Sequence, residues 1–187
     1  MVGDSGGPTY KKSRRGDAKI DRAVGHVLRH SGLDYSIIDF FPYGYDERQY
    51  CSPGFNLPVG LFQRSKFGSI PEYHTSADNL AFIGADHLAL SYRLIVAALD
   101  VIDNDSVYLN IMPRCEPQLG RRGLYHAIGG HENADTANMA LLWVLNLSDG
   151  AHSLLDISER ANLPFDVVYR AAQLLQQHGL VTRLKQR

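Results

Sequence analysis

His74 stands in the segment Pro71-Glu72-Tyr73-His74-Thr75-Ser76-Ala77-Asp78-Asn79, after an apolar run and before a helical pattern. A neutral imidazole ligates zinc well once a hydrogen-bonded neighbour fixes its ring. Thr75, Ser76 and Asp78 are placed to give that support. A histidine alone in a loop is otherwise a surface residue. Tyr73 has two readings: an aromatic packing residue, or a phenol that donates to the oxyanion of a tetrahedral intermediate.

A second constellation is Asp46-Glu47-Arg48-Gln49-Tyr50. Arg48 could receive a substrate carboxylate through two parallel hydrogen bonds. The alternative is a loop held by an Asp46–Arg48 or Glu47–Arg48 pair. Asp4 follows Val2-Gly3 and reads as a carboxylate at a strand end or as a turn aspartate. His26 and His30 lie four apart, on one helix face. They have metal-compatible spacing but read as a surface stripe, with no Glu between them. His87, His126, His131, His152 and His178 are scattered. A zinc hydrolase needs three protein ligands and a general base. No HExxH and no His-x-Asp motif occurs, so one ligand candidate stands against a requirement for three.

The elements that must position these residues belong to an ordinary globular chain. It has 187 residues, 44% hydrophobic and 21% charged, enough for one or two domains. A net charge of -1 demands neither nucleic acid nor a membrane as partner. Cys51 and Cys115 are far apart and form no metal-type spacing, so a reduced, cytoplasmic setting is expected. No stretch is apolar enough to span a bilayer. The first eight residues lack the apolar core of a signal peptide. They begin at once with turn residues, which reads as a loose N-terminus or as a piece of something longer.

Residues 9–16 read as a basic loop, either solvated or facing an anion. Asp17 is the expected N-cap of a helix whose Ile20, Ala23, Val24, Val27 and Leu28 repeat at helical spacing until Gly32. Tyr35 to Phe41 reads as a buried strand closed by Pro42, and Tyr43 to Gly54 as a polar, aromatic loop. Pro58 to Gln63 reads as another short strand. Leu88, Tyr92, Ile95, Val96, Leu99 and Ile102 mark a long helix from Asp86 to Ile102. This order is α/β, an architecture in which loops at strand ends bind ligands. Residues 104–130 are rich in Gly and Pro and read as a linker, packed partly on the first domain through Tyr108, Leu109 and Ile111. From about residue 131 the pattern is helix, helix, turn, helix, strand. Ser153 and Asp156 form a capping pair, Pro164 opens the third helix, and Gly179 stops it. That order resembles an α+β winged helix. The third helix offers Arg170 against Asp166 on its outer face. DNA affinity draws on Lys and Arg at phosphates, so DNA is not expected, and a protein-docking or lid role is. The expected domains are therefore 1–103, a linker over 104–130, and 131–187.

The Tyr73-to-Asn79 loop, the Asp46-to-Gly54 loop and the Tyr10-to-Asp17 basic run together resemble a bacterial zinc aminopeptidase-like family related to leucyl aminopeptidases and glutaminyl cyclases. The segment from Leu141 to Gly150 resembles the winged-helix module that this family appends. The resemblance implies that residues 1–103 are the C-terminal portion of an aminopeptidase-like sheet with flanking helices. His74 would be its last zinc ligand, Tyr73 and Asp46 catalytic residues, and Arg48 a substrate-binding residue. Arg48 and Gln49 replace the His or aromatic residue usual after the acidic pair. The remaining ligands lie upstream of the matched region in the family. The resemblance therefore implies a peptide substrate, zinc as cofactor, and either self-association or a complementing chain.

Overall fold

The computed structural model describes residues 2–125 and 134–185. The chain divides into two units, Met1–Ile102 and Asp103–Arg187. The first unit is built on a mixed three-stranded sheet in the order β2-β1-β3, from β1 (Thr9–Lys11), β2 (Ser36–Ile38) and β3 (Leu61–Gln63). Tyr10 lies across from Ile37 on the parallel side and from Phe62 on the antiparallel side. Parallel neighbours need a crossover, and α1 (Lys19–Arg29) supplies it. Its Val24 and Leu28 are buried with Tyr10 in one cluster with Leu94 and Ala98 of α3 (Ala85–Asn104).

Three sequence expectations change here. Residues 9–11 of the basic run are no loop: they form the central strand, and Lys11 is fully buried. The strand around Tyr35 to Phe41 shrinks to three residues at the sheet edge, and Tyr35 and Ile37 stay exposed. Ala18, not Asp17, is the N-cap of α1. The capping acid is Asp21, inside the helix, whose buried carboxylate accepts from Ala18 N at 3.0 Å, Ser13 N at 2.7 Å, Ser13 Oγ at 2.6 Å and Tyr10 Oη at 2.8 Å. Four donors on one carboxylate satisfy its lone pairs and tie the end of β1 to the start of the helix.

The second unit is a winged helix: β4 (Val107–Asn110), α4 (Ala134–Leu147), β5 (Asp149–Ser153), α5 (Leu154–Ala161), α6 (Phe165–Gln177) and β6 (Val181–Arg183). Its sheet order is β5-β4-β6, antiparallel throughout. Leu141, Leu154, Ile157, Val168 and Leu175 form its buried core. Ser153 and Asp156 cap α5 reciprocally, and Gly179, at φ 65°, ends α6. The stretch expected as a linker contains the middle strand of this sheet. Tyr108 is buried within the second unit, its hydroxyl receiving Gln173 Nε2 at 3.3 Å. The strand was missed because four residues between Asp and Pro-rich turns carry too short a pattern to read. No helix among the described residues is long and apolar enough to cross a membrane.

His26 departs most from expectation. It is buried rather than part of a surface stripe, its ring 4.6 Å from that of His30. Burial, then His30 and two arginines nearby, push its pKa from 6.5 down to about 4. An unfolded chain therefore takes up a proton between pH 6.5 and 4 that the folded chain refuses, so stability falls as pH drops through that window. The loss is on the order of 3 kcal/mol by pH 4. His26→Gln should flatten the decline relative to the wild type, which urea melts at pH 7, 5.5 and 4.5 would show.

Candidate functional site

Lys11 sets the site's geometry. Its Nζ pairs with Glu47 Oε1 at 2.6 Å and donates to the carbonyls of Phe41 at 3.0 Å and Tyr43 at 2.9 Å. It also sits 4.4 Å from the Phe41 ring centre. Both charges are buried. A buried pair of this kind holds only when the remaining donors and acceptors are also satisfied. Here three oxygens meet the three ammonium protons, and Glu47 Oε2 accepts from Tyr45 N at 2.9 Å. Gly44 is obligatory in this turn, because a Cβ there would fall 2.1 Å from Glu47 Oε1.

The turn so held presents Phe41, Tyr43 and Tyr45 around Phe67, with ring centres 5.6 to 6.1 Å away. Tyr45 Oη donates to Tyr73 Oη at 3.0 Å. Burial and that bond raise the Tyr45 pKa, so its phenol stays neutral near pH 7. Tyr73 in turn stacks on His74, with ring centres 4.0 Å apart and planes 17° from parallel. One continuous path thus joins Lys11 to His74 through the 41–47 turn. His74 is exposed and adopts φ 59°, the left-handed region that side chains rarely occupy and that costs of order 1 kcal/mol.

The support expected for the imidazole goes elsewhere. Thr75 Oγ1 donates to Glu72 O at 2.8 Å and accepts from Ala77 N at 3.2 Å, and Asn79 Nδ2 donates to Ser76 O at 3.2 Å. These bonds shape the loop and leave the ring to Tyr73. Asp46 starts the short helix α2 (Glu47–Tyr50); its side chain is exposed and makes no capping bond. Arg48 pairs with neither acid of its loop and lies over the Tyr43 ring at 5.8 Å. Asp4 is buried: Oδ1 accepts from Gly6 N at 2.9 Å, Ser65 N at 3.1 Å and Ser65 Oγ, while Oδ2 has no partner. Gln63 and Arg64, at the end of β3, also bury amide and guanidinium atoms without partners. Sequence reasoning missed Lys11 and Gln63, since a polar residue in a three-residue strand gives no periodic signal. It missed Asp21, inside α1, and Arg64, just past β3, because charge there argues for solvent. His126 and His131 lie outside the described residues. Among the described residues no group of three or more His, Cys, Asp or Glu comes together that could hold a metal ion.

Comparison with known proteins decides the family. Residues 1–105 match a domain family of unknown function, DUF4910, and residues 106–183 match a winged helix-turn-helix family. The chain belongs to the DUF4910 family. It is 49% identical over 180 residues to a Clostridium acetobutylicum protein named for polysaccharide biosynthesis and an aminopeptidase-like domain. That alignment covers 96% of this chain and 41% of the relative. A crystal structure from the same organism, of a protein named as a peptidase, superposes with a TM-score of 0.88 at 44% identity. It covers 98% of this chain and 40% of that one. The chain therefore spans about two fifths of the length of the relatives it matches.

Lys11→Met should destabilise the protein by about 3–5 kcal/mol, because it strands the Glu47 carboxylate. Lys11→Met combined with Glu47→Leu should cost less than the sum of the singles. Urea melts of the three variants test both statements, with 1H shifts of the Tyr45 and Tyr73 rings reporting whether the turn has moved.

Proposed function

We propose that this chain is the C-terminal portion of a zinc-dependent aminopeptidase-like hydrolase. The reading rests on one observation above the rest: the Tyr73-His74 stack, hung from the buried Lys11–Glu47 pair, in a chain whose relatives are named as peptidase-like. His74 would give one ligand to zinc, and Asp4, with Oδ2 unpartnered in a buried position, is the carboxylate candidate. A catalytic zinc site takes three protein ligands. The described residues of this chain do not assemble three, so they do not fit a complete centre by themselves. When bound in a complete site, zinc would activate a water for attack on a peptide bond.

This chain's own residues would do the rest. Tyr73 accepts from Tyr45 and stacks on His74, where its own hydroxyl could donate to a developing oxyanion. Arg48, with no acid partner in its loop, is exposed for the carboxylate of a peptide, and Asp46 lies one residue before Glu47 at the rim of the same turn. Alone, the chain would have little or no hydrolytic activity and weak zinc affinity.

Two measurements check this. Purified chain should carry well under one zinc per molecule after dialysis, and His74→Ala should weaken zinc binding at least about tenfold in titrations. Zinc affinity unchanged by His74→Ala would remove the ligand role. Brisk hydrolysis of aminoacyl-anilides by this chain alone would overturn the incomplete-site reading.

For the winged helix we infer a protein-docking role rather than DNA reading. The support is electrostatic. On the exposed face of α6, Arg170 is bonded to Asp166 within the same helix, and Gln176 and Gln177 add no charge. Duplex DNA should therefore show no salt-sensitive binding in fluorescence anisotropy. Binding that is lost in Arg170→Ala would reverse this assignment.

A further inference from the structure

Helix α3 carries two apolar faces, and only one is covered. Ser91, Leu94, Ala98 and Val101 are buried, with Leu94 and Ala98 in the cluster around Tyr10. Leu88, Tyr92, Ile95 and Leu99 are exposed, Tyr92 at 69% and Leu99 at 51%. Their spacing of four, three and four residues forms a straight seam along one side of the helix. The helical charges Asp86, Arg93, Asp100 and Asp103 all fall on the remaining sector. A helix apolar over more than half its circumference is ordinarily covered on both faces. Beside the seam lies an apolar cavity of about 120 Å³, walled by Val24 and Val27 of α1 and by Ile95 and Leu99 of α3. It has room for an incoming aliphatic side chain.

The deficit extends beyond α3. Of the 26 buried hydrophobic residues among those described, 8 lie in the first unit and 18 in the smaller second unit. Of the 19 large hydrophobics left exposed, 13 lie in the first unit. They include Tyr35 and Ile37 at the β2 edge, and Leu80 and Ile83 ahead of α3. An exposed apolar surface of this breadth marks an interaction site.

We propose that the Leu88-Tyr92-Ile95-Leu99 seam and the adjoining cavity are the docking surface for a peptidase-like polypeptide segment equivalent to the portion of the relatives that this chain does not match. That portion is about three fifths of the relatives' length. A second copy of this chain meeting helix to helix through α3 accounts for the seam, whereas Tyr35 and Ile37 at the β2 edge are exposed as well. A segment that long can cover all of them. The inference rests on reading the chain as part of a larger peptidase-like assembly, but it requires neither zinc nor activity.

The test co-expresses this chain, tagged, with the portion of the clostridial relative that it does not match. The wild type should recover that segment in equimolar amount. Tyr92→Glu combined with Leu99→Glu should lower the recovery at least about tenfold, whereas Leu109→Glu in the second unit should not. The double variant should leave the melting temperature of this chain alone within about 2 °C, since both residues already face solvent. Glutamates at the two aligned positions of the full-length clostridial protein should lower its melting temperature by more than about 5 °C. If the clostridial segment is insoluble by itself, that last measurement decides. Recovery indifferent to the double variant, or an unshifted full-length protein, overturns the proposal. A dimer of this chain alone that Tyr92→Glu with Leu99→Glu dissolves, seen by light scattering, would also overturn it and assign the seam to a second copy. Zinc content and hydrolysis enter none of these readouts, so the docking surface can fail while the zinc reading stands, and the reverse.

Discussion

A single lysine in the middle of a short sheet holds the turn on which Tyr73 and His74 depend. Lys11 is fully buried, and its ammonium must find oxygens or the fold loses several kcal/mol. It finds them on Phe41, Tyr43 and Glu47, all outside regular strands. The need to satisfy one buried charge therefore folds a loop that has little regular backbone pairing of its own. That loop carries Tyr45 to Tyr73, and Tyr73 carries the His74 ring. Asp21 plays the matching part on the other side of β1, gathering four donors at the start of α1. The three-residue strands could not by themselves hold loops of ten or more residues. The buried carboxylates do it instead.

What could be read from the residues divides along physical lines. The long helices α1, α3, α4, α5 and α6 were legible, because each repeats apolar residues over at least two turns. The Ser153–Asp156 cap and the Gly179 stop were legible because their chemistry is local. The strands β2, β3 and β6 were legible in place though read too long, whereas β1, β4 and β5 were not, since three to five residues with polar members hold no period. The basic run Tyr10-Lys11-Lys12 misled, because charge argues for solvent and nothing nearby in sequence announces a buried partner 36 residues away. β4 was hidden for a related reason: its partners lie far along the chain. His74 and Tyr73 were singled out as a pair, and the structure stacks them. The connection of that pair to Glu47 runs through Tyr45, a residue given no part beforehand.

The apolar pattern of α3 shows a subtler limit. The spacing of Leu88, Tyr92, Ile95 and Leu99 identified the helix correctly, yet those residues face outward. Periodicity reports that a face is apolar, not which neighbour covers it.

The place of β4 in the second sheet also shapes how this unit comes into being. It precedes all three helices, yet it lies between β5 and β6. As the chain leaves the ribosome, the middle of the sheet is made first and must wait, unpaired on both sides, until residues 149 and 181 arrive to flank it. A nascent strand in that state is open to wrong partners and to proteases. Its brevity is then protective: four residues expose few free amides, and Asn110, which fixes itself to Leu145 O and Ser148 O, can lodge against α4 before either neighbouring strand exists.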